Sequence, residues 1–242
     1  MSDKDIFIVG YPKSGNSWVS RLIADALDAT ITGFGTAVPL SAEDRGKTEY
    51  TVRQLHLKPV DGGDVFLKSA WEACIPKWDG EKIIHVVRDP RDIVISAMHY
   101  WEIPTVGQAI EAVCLGEHPL KGVGSWYTYV LGWEAQITKI PVIKVYYEVL
   151  QEYKEYALEL LLRQLSVKPV KPLEKVMFNQ SIELTRQRLA EDGDSRPYGK
   201  AIQLKNVRKG TGGEWKEHFT EQNKRAIGFY VGSAMKLVGY DL

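Results

Sequence analysis

One stretch near the start of the chain reads Ile6-Phe7-Ile8-Val9-Gly10-Tyr11-Pro12-Lys13-Ser14-Gly15-Asn16-Ser17-Trp18. Its apolar, β-branched beginning predicts a buried strand, and the spacing of the apolar residues after it predicts an amphipathic helix. The loop between them carries a lysine. Because the N–H groups at the start of a helix, together with the helix dipole, attract phosphate, we expect this loop to bind a phosphate group.

The loop is close to the phosphate-binding loop of nucleoside-triphosphate enzymes but differs from it at one position. That loop follows the pattern G-x-x-x-x-G-K-[ST], with its lysine directly after the second glycine. Here Gly10 and Gly15 keep the glycine spacing, whereas Asn16 takes the lysine position and Lys13 lies inside the loop. A lysine at that place can reach an oxygen that leaves a 5′-phosphate, which favours transfer of a group other than phosphate. A nucleotide kinase and a plain strand-turn-helix corner remain alternatives.

Length and composition predict a single globular domain over residues 1–242. A chain of 242 residues with a hydrophobic share of 44% can bury a substantial core. Its 31 basic and 31 acidic residues give no overall charge with which to hold nucleic acid or a membrane surface. Any anion-binding site must therefore be local.

Cysteine and histidine positions give no sign of a disulfide framework or a metal site. Cys74 and Cys114 lie far apart, and the five histidines show no H-x-x-x-H spacing. The chain enters its first predicted strand directly, which leaves no room for a signal peptide, and no apolar run approaches membrane-spanning length. We therefore expect no metal and a location in the reducing cytoplasm.

Further strand signals at residues 64–68, 82–87 and 141–146 alternate with helical patterns. This alternation predicts an α/β fold, a central parallel β-sheet flanked by helices, with its ligand at the carboxyl ends of the strands. Residues 30–60 are expected to form a loop, and one helix is expected to run through Phe178 and Leu184. Two sets of residues are expected to pack in the core: Trp126, Tyr127, Tyr129 and Trp133, and Tyr153, Tyr156, Ala157, Leu160 and Leu161.

A second candidate anion site begins at Arg88, at the end of a predicted strand. Pro90 suits the first turn of the helix that follows, and Ser96 lies two turns into it. An arginine and a hydroxyl so placed can grip one phosphate from both sides. The alternative is that Arg88 serves the loop itself by pairing with Asp89 or Asp92.

A third candidate lies in a long polar segment, residues 191–213, that has no regular periodicity. At its end the chain reads Arg208-Lys209-Gly210-Thr211-Gly212-Gly213-Glu214-Trp215-Lys216. Two adjacent cations followed by a glycine can turn side chains and backbone N–H groups onto one anion. Alone, such a segment is more often a solvated turn.

These three motifs occur in the order found in the sulfotransferases that use 3′-phosphoadenosine 5′-phosphosulfate (PAPS). Residues 11–18 closely resemble that family's YPKSGTTW loop, and Arg88 with Ser96 resembles its 3′-phosphate motif. Residues 208–216 match its R-K-G-x-x-G-x-W-K loop, and Tyr147-Glu148-Val149-Leu150 is similar to its Y-E-D-L segment. The resemblance implies a P-loop-like sulfotransferase fold and in-line transfer of a sulfuryl group from PAPS to a hydroxyl of a small-molecule acceptor. It further implies 3′-phosphoadenosine 5′-phosphate (PAP) as product and no need for a metal.

Each expected contact with PAPS comes from this resemblance. The 5′-phosphosulfate is assigned to Lys13, Ser14, Gly15, Asn16 and Ser17. The 3′-phosphate is assigned to Arg88, Ser96, Arg208, Lys209 and Gly210. The adenosine is assigned to Trp18 and Tyr147, with Ser181 as a weaker match near the adenine.

The general base is where this sequence departs from the family. Cytosolic members carry a K-T-H tripeptide whose histidine deprotonates the acceptor, whereas this chain has Lys68-Ser69-Ala70. We therefore name Lys13, Lys68 and His56 as the catalytic residues. His56 is the first candidate for the base, because an imidazole pKa near 6.5 suits proton transfer, and Glu72 is the second. A catalytically silent PAP-binding protein remains an alternative.

The sequence leaves the acceptor and the oligomeric state open. The family's dimer motif K-x-x-x-T-V-x-x-x-E is only partly matched, because Glu221 and Arg225 replace its valine and glutamate. No motif fixes the walls of the acceptor pocket. The reverse reaction, with an aryl sulfate as donor and bound PAP as carrier, is chemically available to any member of the family.

Overall fold

A parallel five-stranded sheet lies at the centre of the computed structural model, which describes residues 5–32, 50–55, 82–120, 122–191 and 207–242. The strands occur in the spatial order β2-β3-β1-β4-β5, and every neighbouring pair is parallel. Their bounds are Asp5–Gly10 (β1), Thr30–Thr32 (β2), Thr51–Leu55 (β3), Lys82–Val87 (β4) and Val142–Tyr146 (β5).

Helices cover both faces of this sheet. In chain order they are Asn16–Leu27 (α1), Pro90–Tyr100 (α2), Val106–Leu115 (α3), Trp126–Ile137 (α4), Tyr147–Gln164 (α5), Leu173–Asn179 (α6), Ile182–Glu191 (α7), Trp215–His218 (α8) and Glu221–Leu237 (α9). One apolar cluster joins one face of β1 and β4 to α2, α3, α4 and α9. A second cluster joins the opposite face to α1, α5 and α6.

The topology brings three site-bearing segments to one edge of the sheet. The chain leaves β1 towards β2 and β3 on one side and later continues through β4 and β5 on the other. In open α/β sheets ligands bind outside the carboxyl ends of the strands, where the strand order reverses. The loops after Gly10 and Val87, and the start of α5 at Tyr147, follow the carboxyl ends of β1, β4 and β5 at that edge.

The parallel sheet and most of the predicted core are confirmed. Helix α1 buries its predicted face: Val19, Leu22, Ile23, Ala26 and Leu27. In α4, Trp126, Tyr129 and Trp133 are buried and Tyr127 packs partly against them. The predicted strands at residues 82–87 and 141–146 correspond to β4 and β5.

Two expectations about local structure were wrong. The segment 30–60 contains β2 and β3 and is not all loop, because both short strands gain their hydrogen bonds from neighbouring strands, which local periodicity does not reveal. The helix expected to run through Phe178 and Leu184 is instead two helices. The Asn179–Ser181 junction separates α6 from α7, and Ser181 Oγ accepts a hydrogen bond from the N–H of Leu184 at 3.4 Å, as a helix-starting serine does.

The expected core face of α5 was right for two of its five residues. Leu161 is buried and Ala157 packs against the same cluster, as expected, whereas Tyr153, Tyr156 and Leu160 are exposed by 54%, 64% and 40%. The other buried residues of the helix are Tyr147, Leu150, Leu158 and Leu162. Lys154 has φ 32° and ψ −106°, so the backbone is not helical at that residue. The buried residues before and after this kink nevertheless lie on one side of the helix at the regular 3.6-residue period. The sequence pattern was ambiguous because tyrosines and leucines occur on both sides of this helix, and the packing against neighbouring elements decides which side is buried.

Several sequence-based expectations lie outside the described residues. They include the predicted strand at residues 64–68 and three residues of the proposed catalytic machinery, His56, Lys68 and Glu72. Within the described ranges, none of the helices combines the length and the apolar character needed to cross a bilayer.

A carboxylate on α1 anchors α6 beside the sheet. Asp25 accepts hydrogen bonds from Lys171 Nζ at 2.6 Å, Asn179 Nδ2 at 3.0 Å and Gln180 Nε2 at 3.1 Å. Burial alone raises the pKa of Asp25, but these hydrogen bonds outweigh burial and bring the pKa below its usual value. The folded state therefore prefers the ionised carboxylate.

We predict that Asp25→Ala lowers the free energy of unfolding by about 1–2 kcal/mol, because three donors lose their shared acceptor and Lys171 is partly exposed. A depressed folded pKa stabilises the fold above the unfolded-chain pKa of about 3.9, and this stabilisation is lost as the pH falls through the folded value. Urea unfolding of the wild type and of Asp25→Asn between pH 7 and pH 3 measures this pH-dependent part of the free energy of unfolding. An equal pH dependence in the two proteins contradicts the prediction.

Candidate active site

The loop between β1 and α1 turns sharply at two residues in the left-handed region. Lys13 has φ 72° and Gly15, which precedes α1, has φ 93°. A Cβ atom at Gly15 would lie 2.4 Å from the ring of Tyr147, so only glycine fits there. The Ser14 N–H donates to the carbonyl of Tyr11 at 3.1 Å. The loop thus presents the start of α1 at the carboxyl end of β1.

Asn16 supports this loop from inside. Its Nδ2 donates to the carbonyl oxygens of Gly10 at 2.9 Å and Tyr11 at 3.2 Å, and the residue is 3% exposed. A Cβ atom at Gly10 would lie 2.1 Å from Asn16 Oδ1, which explains the glycine. Both amide hydrogens of Asn16 are used within the loop. The Asn16 side chain therefore supports the loop from inside, a role that the sequence did not reveal.

Arg88 links three of the predicted motifs. Its Nη1 donates to the carbonyl of Lys13 at 3.0 Å, and its Nη2 donates to the carbonyl of Thr211 at 3.1 Å. The guanidinium also lies 4.3 Å from the ring centre of Tyr147. Of the two alternative partners, the Asp89 carboxylate pairs with Arg91 at 2.7 Å. The Asp92 carboxylate accepts backbone N–H groups, although the charge of Arg88 acts on it and favours its ionised form.

Tyr147 brings the remaining predicted adenosine contacts to the same place. Its ring lies edge-on to Trp18, with 5.4 Å between ring centres. On the other side its hydroxyl lies near Gly210, where a Cβ atom would be 4.0 Å from the hydroxyl and 3.1 Å from Ile182. Ser181 immediately precedes Ile182. Segments separated by up to about 190 residues in sequence therefore converge on this tyrosine.

The 208–216 loop is closed onto the site by two polar side chains. Asp92 accepts hydrogen bonds from the N–H of Gly213 at 2.6 Å and of Trp215 at 3.1 Å. Gln151 accepts from the N–H of Gly212 at 2.9 Å and donates to the carbonyl of Gly210 at 2.5 Å. Burial raises the pKa of the Asp92 carboxyl despite these N–H groups.

A buried carboxylate of the loop holds its two cations. Glu214 accepts two hydrogen bonds from Arg208, one of 2.7 Å, and its Oε1 lies 3.0 Å from Lys209 Nζ. The hydrogen bonds from Arg208, followed by those from Lys209, lower the pKa of Glu214 to about 2 against the opposing effect of burial. The sequence analysis did not predict this role of Glu214. An acidic residue within an otherwise basic motif could have indicated an ion pair with the motif's own cations.

Lys13 lies in a cationic surrounding. Its Nζ is 3.7 Å from the ring centre of Tyr100. Burial first, and then the charges of Arg88 and Arg208, lower the pKa of Lys13 from 10.5 to about 7. Three predicted cations from three motifs thus share one electrostatic site, and this site favours an anion that can restore the charge on Lys13.

The residues present fit a phosphate-bearing ligand. The Ser14 hydroxyl and the Arg88 Nε are buried, and neither has a hydrogen-bond partner in the described part of the chain. Buried donors without partners are costly unless a ligand or water satisfies them. Ser17 is half-buried at the start of α1, and Ser96 is half-buried on α2. All predicted PAPS contacts therefore lie on the elements that meet at this edge of the sheet.

Comparison with known proteins identifies the family. The family model described as a sulfotransferase domain matches residues 77–239, more than half of the chain. The chain therefore belongs to the sulfotransferase family. This result confirms the family, the fold class and the enzyme class that the three motifs predicted.

Individual relatives and structures agree with this assignment. Sulfotransferase 2A6 of Mus musculus is 26% identical over 259 residues, with 94% of this chain and 82% of the relative covered. The crystal structure of mouse sulfotransferase SULT7A1 complexed with PAP matches with a TM-score of 0.71 and 23% identity, covering 98% of this chain and 86% of that one. Retinol dehydratase in complex with androsterone and inactive cofactor PAP matches with a TM-score of 0.65 and 14% identity, covering 100% and 83%.

We predict that Asn16→Ala lowers the free energy of unfolding by about 1–3 kcal/mol, because it removes the side-chain donors to two loop carbonyls. Ser17→Ala, at the neighbouring half-buried position, serves as the control and should change it by less than about 0.5 kcal/mol. Thermal and urea unfolding of the three proteins provide the comparison. A similar loss in both variants would show that the loop does not depend on the asparagine amide.

Proposed function

We propose that this protein transfers a sulfuryl group from PAPS to a hydroxyl of a small-molecule acceptor and releases PAP. The observation that carries the proposal is the Arg88 guanidinium, which donates to Lys13 in the first motif and to Thr211 in the third. Both motifs contain the cationic residues and glycines that are typical of phosphate-binding loops, and one buried arginine fixes their relative position. The neighbouring enzymes with PAP in their crystal structures support the same ligand here.

The 5′ end of the donor belongs in the β1–α1 loop. Backbone N–H groups at the start of α1, the Ser14 hydroxyl and the Ser17 hydroxyl surround the place where the phosphosulfate would bind. Lys13 is the group that can stabilise negative charge on the oxygen between phosphorus and sulfur as the acceptor hydroxyl attacks in line. Such a donor contributes roughly 3–4 kcal/mol to lowering a barrier.

The 3′-phosphate belongs between α2 and the 208–216 loop. Arg88 Nε, the Ser96 hydroxyl, Arg208, Lys209 and the Gly210 N–H are the donors on the elements that meet there. Since Glu214 holds Arg208 and Lys209 in the ligand-free chain, binding replaces one carboxylate by a phosphate with greater charge. Trp18, Tyr147 and Ser181 would contact the adenosine.

The base and the acceptor pocket remain expectations from the sequence. We propose His56 as the base that deprotonates the acceptor, Glu72 as the second candidate, and Lys68 as an accompanying catalytic lysine; all three lie outside the described residues. We also propose a single domain over residues 1–242 and a cytoplasmic location. The buried, free thiol of Cys114 suits a reducing compartment.

Ligand-dependent thermal stability tests the donor site. At about 100 times its dissociation constant, PAP should stabilise the wild type by roughly 2.7 kcal/mol. Arg208→Ala should lose most of this effect, whereas Arg163→Ala, which removes an exposed arginine on α5, should keep it. ATP with magnesium is the control for a kinase. A larger shift with ATP and magnesium than with PAP would overturn the proposal, and turnover of PAPS separates an enzyme from a silent PAP-binding protein.

The pKa of Lys13 predicts how PAP binding depends on pH. In the free protein Lys13 loses its proton above a pH of about 7, whereas a bound anion favours the charged form. PAP binding should therefore take up a proton above that pH, and its dissociation constant should rise by up to about tenfold per pH unit. Calorimetry in buffers of different ionisation enthalpy measures the uptake.

Lys13→Met is the control for this effect. The variant should bind PAP more weakly and without proton uptake between pH 7 and pH 9, because its side chain cannot titrate. If wild type and variant show the same pH slope, the titrating group is not Lys13.

A further inference from the structure

Two histidines and a glutamate converge beside the 208–216 loop. His99 lies near the end of α2, Glu214 immediately precedes α8, and His218 is the last residue of α8. One potential ligand atom from each residue lies within 4.8 Å of the other two. His218 Nε2 is 3.5 Å from Glu214 Oε1, and the rings of His99 and His218 meet edge-on with 6.3 Å between their centres. Both histidines are exposed, so the cluster is open to solvent.

The chemistry of these side chains selects a class of ion. Two imidazoles and one carboxylate suit Zn²⁺ and similar first-row transition ions, whereas Mg²⁺ and Ca²⁺ prefer oxygen ligands. Tetrahedral Zn²⁺ with bonds of 2.0–2.2 Å needs ligand atoms about 3.4 Å apart. The Glu214–His218 pair already has this separation at 3.5 Å. Since the three ligand atoms lie within 4.8 Å of one another, the exposed His99 ring has to approach by at most about 1.4 Å to reach the separation of a tetrahedral site. Three protein ligands leave one position for water or another ligand.

Glu214 connects the cluster to the anion site. In the ligand-free chain this carboxylate faces Arg208 and Lys209 as well as His218. These two cations oppose a divalent ion near Glu214. A phosphate between Arg208 and Lys209 would neutralise these cations and compete for their hydrogen bonds to Glu214, which would make the carboxylate available to a metal ion.

We propose that His99, Glu214 and His218 form a binding site for a Zn²⁺-type transition ion, and that occupation of the neighbouring 3′-phosphate site tightens it. The metal site stands on the geometry of its three side chains, whereas the coupling rests on the proposed function. By thermodynamic reciprocity, a bound ion tightens PAP by the same factor. The ion would lie beside the proposed 3′-phosphate-binding site. It takes no part in the proposed sulfuryl transfer.

Titration with Co²⁺ tests the site without reference to activity, because its visible absorption reports the coordination geometry. The metal-free protein should bind one Co²⁺ with the intense bands of a four-coordinate ion. His218→Gln and His99→Gln should each weaken binding more than the about 10–100-fold caused by loss of an outer-shell partner. Glu214→Gln should also weaken Co²⁺ binding, because it removes the carboxylate ligand. Glu217→Gln removes one negative charge three residues away, within α8, and is the matched control that should retain binding. Circular dichroism and thermal unfolding verify that each variant is folded.

The coupling is measured by repeating the Co²⁺ titration with saturating PAP. We expect Co²⁺ binding to tighten about fivefold or more, within the usual range of coupling between sites. The same titration of His218→Gln in the presence of PAP measures the Co²⁺ that binds to the nucleotide itself, and this amount is subtracted. Absence of Co²⁺ binding, or equal binding by wild type and both histidine variants, overturns the metal site. Unchanged Co²⁺ affinity with PAP overturns the coupling, and PAP binding measured in the presence of a chelator tests the proposed function separately.

Discussion

The two hydrogen bonds that Arg88 donates fix the spacing between parts of the site that lie 75 and 123 residues away in the sequence. Charge-assisted hydrogen bonds from a buried guanidinium are stronger and more directional than those from a neutral donor. Arg88 lies directly after β4. Because β4 is paired with β1, the register of the sheet sets the position of the Arg88 backbone relative to the β1–α1 loop. Tyr147 covers the face of the Arg88 guanidinium and also fills the space above Gly15. Arg88 therefore fixes the position of the β1–α1 loop relative to the 208–216 loop, and each loop has further support of its own from Asn16, or from Asp92 and Gln151.

A neutral protein has concentrated positive charge at one edge of its sheet. Lys13, Arg88 and Arg208 lie close enough for the two arginines to lower the pKa of the lysine. Such clustering opposes folding unless an anion or an internal carboxylate compensates it. Glu214 provides part of that compensation in the ligand-free chain. Glu214 thus neutralises part of the positive charge of this loop and holds Arg208 and Lys209 next to each other.

The sequence predicted the helix α1, the strands β4 and β5 and the three phosphate-binding motifs, because each is encoded by residues close together in the chain. It failed for β2 and β3, whose hydrogen bonds come from other strands, and for the exposed Tyr153, Tyr156 and Leu160 of α5, because apolar residues occur on both sides of that helix. It also treated Asp92 as a possible partner of Arg88. In the folded chain this carboxylate instead holds the N–H groups of Gly213 and Trp215.

By itself the sequence determined the family, the parallel sheet and the residue types of the anion site, since these depend on local patterns and on motifs of fixed spacing. It could not show that Asn16 uses its amide inside the loop, that Glu214 holds the loop cations, or that His99 meets His218. The spacing rule for paired histidines in one helix found no metal site, because these two histidines belong to different helices. Only the tertiary structure decided those contacts, since the packing of α2 against α8 and the parallel register bring side chains together across more than a hundred residues.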